Sequence, residues 1–387
     1  MRCTKYPFRK MVNTELIHIL VYFMLRTEVN GQLKITCYFN AKCRCKTINE
    51  TYVEVDCSKL SLSYIPKLPG NVSSVDLSYN NISNIPEQHF KDNNILRKIN
   101  LSENKLHFLT KKMFYGLNSV LKLVINNNLI SKTTKDVFLY LRTLSYLDVK
   151  KNNISWSNHN VTFPPSLLKL KIDYNVSHEN LPEMPHLEYL DVSGSSGNCY
   201  IHTVKPNTFR SVPKIHELDI SACKVNYVYN GSFSFMRNLS ILNLSFNTCL
   251  KFDGLENVTI DLPFTSIKVL KFNKIHKTFE MNTKVLKRHL MHLKQTKLTE
   301  LHADSNKIQL IEKGTLQELP ITIKKIFLSD NELSYGEYLY DSIVVQAEFV
   351  NVSFLFNSRF DIEKKENCEH SKQSCCNQVC EQKKISR

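Results

Sequence analysis

Lysine supplies most of the chemical character of this chain. Lys98, Lys122, Lys150, Lys169, Lys171, Lys268 and Lys271 fall at related offsets from regularly spaced asparagines, with Arg97, Lys151 and Lys274 beside them. Ammonium groups repeated in this way can hold phosphate, sulfate or carboxylate groups through contacts that salt weakens. The plainer account is a solvated face that keeps the chain soluble. His289 and His292 are three apart and could share a metal or sense acid, although no carboxylate is spaced to join them. A helix lying on the body accounts for the same stretch, because Val285, Leu286, Leu290 and Leu293 fall on one helical face. The chain has no GxSxG, no HExxH and no phosphate-binding glycine turn, so neither catalysis nor a cofactor is expected.

The elements that must carry these lysines are written in a period of about 24 residues. VSSVDLSYNNI (Val72–Ile82), LRKINLSENKL (Leu96–Leu106) and VLKLVINNNLI (Val120–Ile130) share the frame L-x-x-L-x-L-x-x-N-x-L. This is the frame of a leucine-rich repeat, an α/β solenoid with a curved parallel sheet on its concave face. Further frames start at Leu144, Leu167, Leu187, Ile215, Leu239, Ile267, Leu298 and Ile323, with a degenerate one near Phe349. Positions 1, 4 and 6 face the core, whereas positions 2, 3, 5, 7 and 8 face the concave surface. The lysines therefore form one basic patch in repeats two to five and another in repeat nine, separated by Glu188, Asp191, Glu217 and Asp219.

Position nine is Asn80, Asn104, Asn128, Asn152, Asn175, Asn247, Asn306 or Asn331 in eight frames, and a buried amide there must be hydrogen-bonded. Ser195, Cys223 and Ile275 interrupt the series, and the segments after Ser195, Asn247 and Ile275 run long. Phe90, Phe114, Phe138 and Phe233 lie ten residues after position nine, with Phe163 and Phe209 slightly displaced. A stacked spine on the convex wall explains them better than an aromatic ligand box.

The 387 residues carry a formal net charge of +15, which favours anionic partners. Residues 1–31 read as a signal peptide: Arg2, Lys5, Arg9 and Lys10 precede an apolar run too short to span a bilayer. Residues 32–70 form a cysteine-rich cap, 71–357 about eleven or twelve repeats, and 358–387 a cysteine-containing tail expected to be disordered or a truncated cap. Cys37, Cys43, Cys45 and Cys57 suit disulfides better than zinc, and their order alone permits three pairings. One bridge among Cys199, Cys223 and Cys249 is compatible with their places in adjacent turns. Asn49, Asn71, Asn81, Asn153, Asn160, Asn175, Asn230, Asn257 and Asn351 are candidate glycosylation sites, and Asn100, Asn238 and Asn243 also head N-x-S/T triplets.

Taken together, the cap, the 24-residue period, the convex phenylalanines and the segments LNLSFNTCLKFDGLENV (Leu242–Val258) and IKVLKFNKIHKTF (Ile267–Phe279) resemble the ectodomain of Toll-like receptors, in particular invertebrate members. The resemblance runs from about residue 37 to 357. It implies the pairings Cys37–Cys45 and Cys43–Cys57, and a pattern-recognition receptor that forms a homo- or heterodimer around a microbial or protein ligand. Nucleic acid is a less favoured ligand, because exposed aromatics are few on the concave face. In the family a carboxy-terminal cysteine cap, one membrane helix and a TIR domain follow. Cys368, Cys375, Cys376 and Cys380 lack the C-x-C pair of that cap. The expectation is an extracellular module, secreted or on the outer or endosomal side of a membrane, that does not signal by itself. A secreted leucine-rich adhesion or decoy protein is the alternative, and a developmental receptor for a protein ligand a third.

Overall fold

A computed structural model describes residues 26–29, 32–48, 51–154, 161–175, 181–278, 281–333 and 353–355. One sixteen-stranded sheet runs through all of it. The first four strands, Arg26–Val29, Gln32–Cys37, Asn40–Ile48 and Tyr52–Asp56, pair antiparallel and form the cap. From Val72–Asp76 onward every pairing is parallel, one short strand per repeat, to Ser353–Leu355 at the degenerate last frame. Cys37–Cys45 and Cys43–Cys57 bridge the cap, as the family resemblance implies. The strand Arg26–Val29 falls inside the segment read above as a signal peptide. The tail after 357 lies outside the described residues. Among the described residues, no helix is long and apolar enough to cross a membrane.

Each repeat strand is about three residues long, so it contributes one central side chain to the core. Ile99, Leu123, Leu147, Leu170, Leu190, Leu218, Leu242 and Leu270 are all buried there in register. The convex spine is present. Phe90, Phe114, Phe138, Phe163, Phe209 and Phe233 are buried, with Phe114 stacked on Phe138 and Phe138 on Phe163 at centroid distances of 6.4 and 5.5 Å. The asparagine ladder runs between spine and sheet. Asn104 Oδ1 accepts the Ile82 N–H at 3.0 Å, while its Nδ2 donates to the carbonyls of Leu77, Leu101 and Ser102. Each amide among the described side chains thus satisfies backbone groups that the chain frees as it leaves a strand.

Where asparagine is missing, other groups take over. Cys223 Sγ lies 3.5 Å from the Val192 carbonyl, where an asparagine would donate, but it is bridged to Cys199. The bridge clamps two turns and substitutes a covalent tie for a hydrogen bond. At the Ile275 rung the next residue, His276, accepts the Phe252 N–H through Nε2 at 3.2 Å. Two of the long segments become convex insertions. After Asn247 comes the helix α1, Lys251–Asp261. After Ile275 the expected continuous helix does not form. Thr283–Val285 is a strand paired with Ile308–Ile311, followed by one helical turn at Lys287–Leu290 and a 3-10 turn at Met291–Gln295. Leu286 has an extended backbone (φ −99, ψ 154) that separates strand from turn, so apolar spacing alone overstated the helix.

Candidate ligand-binding surface

The concave face is built from two rows that the parallel register aligns. Position three reads Ser74, Lys98, Lys122, Tyr146, Lys169, Tyr189, Glu217, Ile241 and Val269 on successive rungs. Position five reads Asp76, Asn100, Val124, Asp148, Lys171, Asp191, Asp219, Asn243 and Lys271. The first row is basic in its amino half. The second mixes signs and compensates much of its own charge.

The structure therefore sorts the seven candidate lysines. Lys98, Lys122, Lys169 and Lys268 are exposed, and Lys171 and Lys271 half-buried. Lys171 Nζ lies 3.6 Å from Asp191 Oδ2 and 6.0 Å from the Tyr189 ring centroid. Lys122 Nζ lies 4.7 Å from the ring centroid of Tyr146.

Lys150 does not belong to the surface. Its side chain is 2% exposed and its ammonium donates to Asp191 Oδ1 at 2.6 Å, to the Ser193 carbonyl and hydroxyl, and to Ser196 Oγ. A position-seven lysine was expected to face solvent. Instead its long stem turns between rungs into space left by the small residues Ser193 to Gly197. A Cβ on Gly197 would fall 3.3 Å from Lys150 Cδ and 2.1 Å from Asp173 Oδ1, so this glycine makes room for the stem. Burial pulls the Lys150 pKa below that of an ordinary lysine, against the opposing pull of Asp191. Burial also pushes Asp191 upward, but the hydrogen bonds from Lys150 and Ser193 outweigh it and hold the carboxyl below its usual range. We treat the pair as ionised.

Burial raises the Tyr146 phenol to about 12, helped by Asp148 and Asp191, and raises Tyr189 for the same reason. Both rings are thus neutral. Desolvation also raises Asp148 and Glu217, the latter opposed by Lys271.

The two histidines of the carboxy-terminal insertion do not form a metal site. His289 is buried, its Nδ1 accepting the Leu286 N–H at 3.1 Å and its Nε2 facing Asp253 Oδ1 at 3.3 Å, so both ring nitrogens are engaged. The carboxylate comes from α1, too distant in sequence for spacing to reveal. Among the described residues, no group of three His, Cys, Asp or Glu is placed to hold a metal.

Of the candidate glycosylation sites, Asn71, Asn81, Asn153 and Asn230 are exposed. Asn257 is half-buried and donates through Nδ2 to the Val228 carbonyl at 2.9 Å. Asn49, Asn160 and Asn351, and the side chain of Asn175, lie outside the described residues. One feature the sequence did not disclose is a rim pocket of about 270 Å³ where His186, Glu188, Lys214, His216 and Asn238 converge.

A solenoid with an asparagine ladder, a phenylalanine spine and a continuous concave sheet has the leucine-rich repeat fold, and a leucine-rich repeat family model matches residues 70–130. More particularly, the chain resembles the ectodomain of Toll-like receptors. Toll-like receptor 4 of Pinctada imbricata is 37% identical over 187 residues, which is 48% of this chain and 21% of that protein. The chain thus matches about a fifth of the length of this curated relative. Two solved structures share the fold. A TLR13–ssRNA13 complex has a TM-score of 0.56 at 17% identity, covering 81% of this chain and 50% of that one. A glycosylated Toll–Spatzle complex, described for Drosophila, has a TM-score of 0.52 at 18% identity, covering 74% and 38%.

Proposed function

We propose that this chain is the ligand-binding ectodomain of a Toll-like pattern-recognition receptor, acting on the extracellular or lumenal side of a membrane and capturing an anionic ligand on its concave face. The observation that carries the reading is the position-three row, where Lys98 and Lys122 stand exposed on neighbouring strands and Lys169 two strands further on, with no carboxylate among them in that row. Neighbouring strands are about 4.8 Å apart, so these charges act together on one extended ligand. Neither the core nor the ladder needs them. Relatives of this type are named for recognition rather than catalysis, and the site offers multivalent contact without a convergent acid, base or nucleophile. Ligand binding then draws two chains together.

The test is binding of the secreted chain to immobilised polyphosphate across a salt series. Affinity should fall steeply with salt, because each ammonium that meets a charge releases a counterion. The triple variant Lys98→Glu/Lys122→Glu/Lys169→Glu should bind about 100-fold more weakly or worse. Salt-independent binding that the triple variant retains would refute the reading and favour an adhesion or decoy role. Sedimentation with and without polyphosphate reports the dimer.

A further inference from the structure

The lysine row is also an aromatic row, and that alternation narrows the ligand beyond its charge. Lys122, Tyr146, Lys169 and Tyr189 occupy four consecutive rungs at the same position. Cation and ring therefore each recur every second strand, roughly 10 Å apart. Lys98 extends the row by one rung toward the amino end, and Glu217 closes it at the other. Resting on the anionic-ligand reading above, we infer that this row is a binding site for a linear acidic polysaccharide in which charged and uncharged sugars alternate.

The argument is one of spacing and surface chemistry. Pyranose rings in an extended chain follow one another at nearly the separation of neighbouring strands, so each ring meets one rung. Alternating uronate and neutral sugars then place a carboxylate at Lys122 and Lys169 and a C–H face at Tyr146 and Tyr189, with Lys98 meeting the neutral sugar before them. Lys122 Nζ lies over the Tyr146 ring at 4.7 Å from its centroid, so the flexible lysine stem swings toward the carboxylate of one sugar as the next takes the ring face. Tyr146 and Tyr189 are half-buried, which restrains their rings and leaves part of each open for contact. Of the interior acids beside the row, Asp191 is engaged by both Lys150 and Lys171.

A single-stranded nucleic acid fits less well. Its phosphates lie further apart than the rungs when the strand is extended, and its bases call for open stacking platforms. Both tyrosines here are only half exposed. The row is five rungs long before Glu217, so affinity should grow with chain length up to about five or six sugars and then level off.

The experiment measures binding of the intact chain to size-defined oligosaccharides of alternating glucuronate and N-acetylglucosamine. Polyphosphate and single-stranded RNA of matched charge serve as comparators. The oligosaccharide should compete best. Tyr146→Ala/Tyr189→Ala should weaken it about tenfold or more, while changing polyphosphate binding less than about twofold. Tyr146→Phe/Tyr189→Phe should restore glycan binding, because the ring face and not the hydroxyl is used. Circular dichroism establishes that each variant is folded. If polyphosphate binds but RNA outcompetes the glycan, or if the alanine pair weakens both ligands equally, the polysaccharide inference is overturned and the anionic-ligand reading stands. If no polyanion binds, both fall.

Discussion

Lys150 and Asp191 form an ion pair that skips a rung. The ammonium of the fourth repeat passes the strand Lys169–Lys171 and meets the carboxylate of the sixth repeat at 2.6 Å, with side chains 2% and 6% exposed. Ser193 and Ser196 take further ammonium protons, and the Ser193 N–H and hydroxyl donate to the same carboxylate. Removing Asp191 strands the buried ammonium, and removing Lys150 leaves the buried carboxylate with only the longer contact to Lys171. Lys150→Met or Asp191→Asn alone should each cost roughly 3–5 kcal/mol in urea unfolding. Lys150→Met/Asp191→Asn together should cost far less than the sum. Additive losses would mean that the two side chains are not coupled.

Asn128 gives a second measure of what holds the rungs together. Its Oδ1 accepts the Leu106 N–H and its Nδ2 donates to the Leu101 and Ile125 carbonyls, all at 3.0 Å. Asn128→Ala strands these buried groups and should destabilise by about 3 kcal/mol. The exposed Asn118→Ala should stay within about 0.5 kcal/mol. Equal effects would show that the ladder is not what fixes the turns.

Cys223 offers the converse substitution. The bridge to Cys199 closes a separation of 24 residues, so Cys199→Ala/Cys223→Ala should lose about 3 kcal/mol. An asparagine at 223 fits the ladder, because the Val192 carbonyl already faces that place. Cys199→Ala/Cys223→Asn should therefore regain about 1–2 kcal/mol over the alanine pair. No gain would indicate that the turn around Ser195 has lost the geometry an asparagine needs.

How far the sequence disclosed this molecule depends on whether a feature is periodic. Strand positions, the phenylalanine spine and the ladder recur every 24 residues, so one frame locates Leu123, Phe138 and Asn104 alike. Facing was legible too, which is why Lys98, Lys122 and Lys169 stand where their offsets put them. Side-chain reach was not. Lys150 has an outward offset, yet its four-carbon stem can turn back wherever the neighbours are small. The run Ser193 to Gly197 was the signal that could have revealed it. Asp253 beside His289 was hidden for another reason, since the two sit on different convex insertions that only folding brings together.

His289 makes stability depend on pH. Burial lowers its pKa from the ordinary 6.5, although Asp253 pulls the other way, while Arg288 adds to the lowering and Glu256 opposes it. The unfolded chain therefore takes up the proton first. The native state is favoured above the unfolded pKa and loses that advantage as pH falls from about 6.5 toward the lower folded value. His302 is shifted in the same direction by burial and Lys271. The melting temperature should drop between about pH 7.5 and 5.5, and His289→Gln should flatten part of that drop. An unchanged slope in the variant would assign the pH dependence elsewhere.

Glycan occupancy should follow the hydrogen bonds of each asparagine amide. A glycan carried by the folded chain needs an Nδ2 without another partner and open space beyond it. Asn81, Asn153 and Asn230 are exposed and should be occupied. Asn257 donates to the Val228 carbonyl beneath α1, and Asn100 and Asn243 donate to Asp76 and Asp219 within the concave sheet. These three should be bare, although transfer to a still unfolded chain could reach them. A sugar added that early would then oppose closure of the rung, and such molecules would be lost in folding. A glycan on Asn100 would also stand beside Lys98 and block the row to which that lysine belongs. Glycopeptide mass spectrometry of the chain expressed through a eukaryotic secretory pathway decides the matter. Full occupancy at Asn100 would exclude the amino half of the concave face as a binding surface, whereas bare Asn100 with occupied Asn81 and Asn153 would leave that half open to a long ligand.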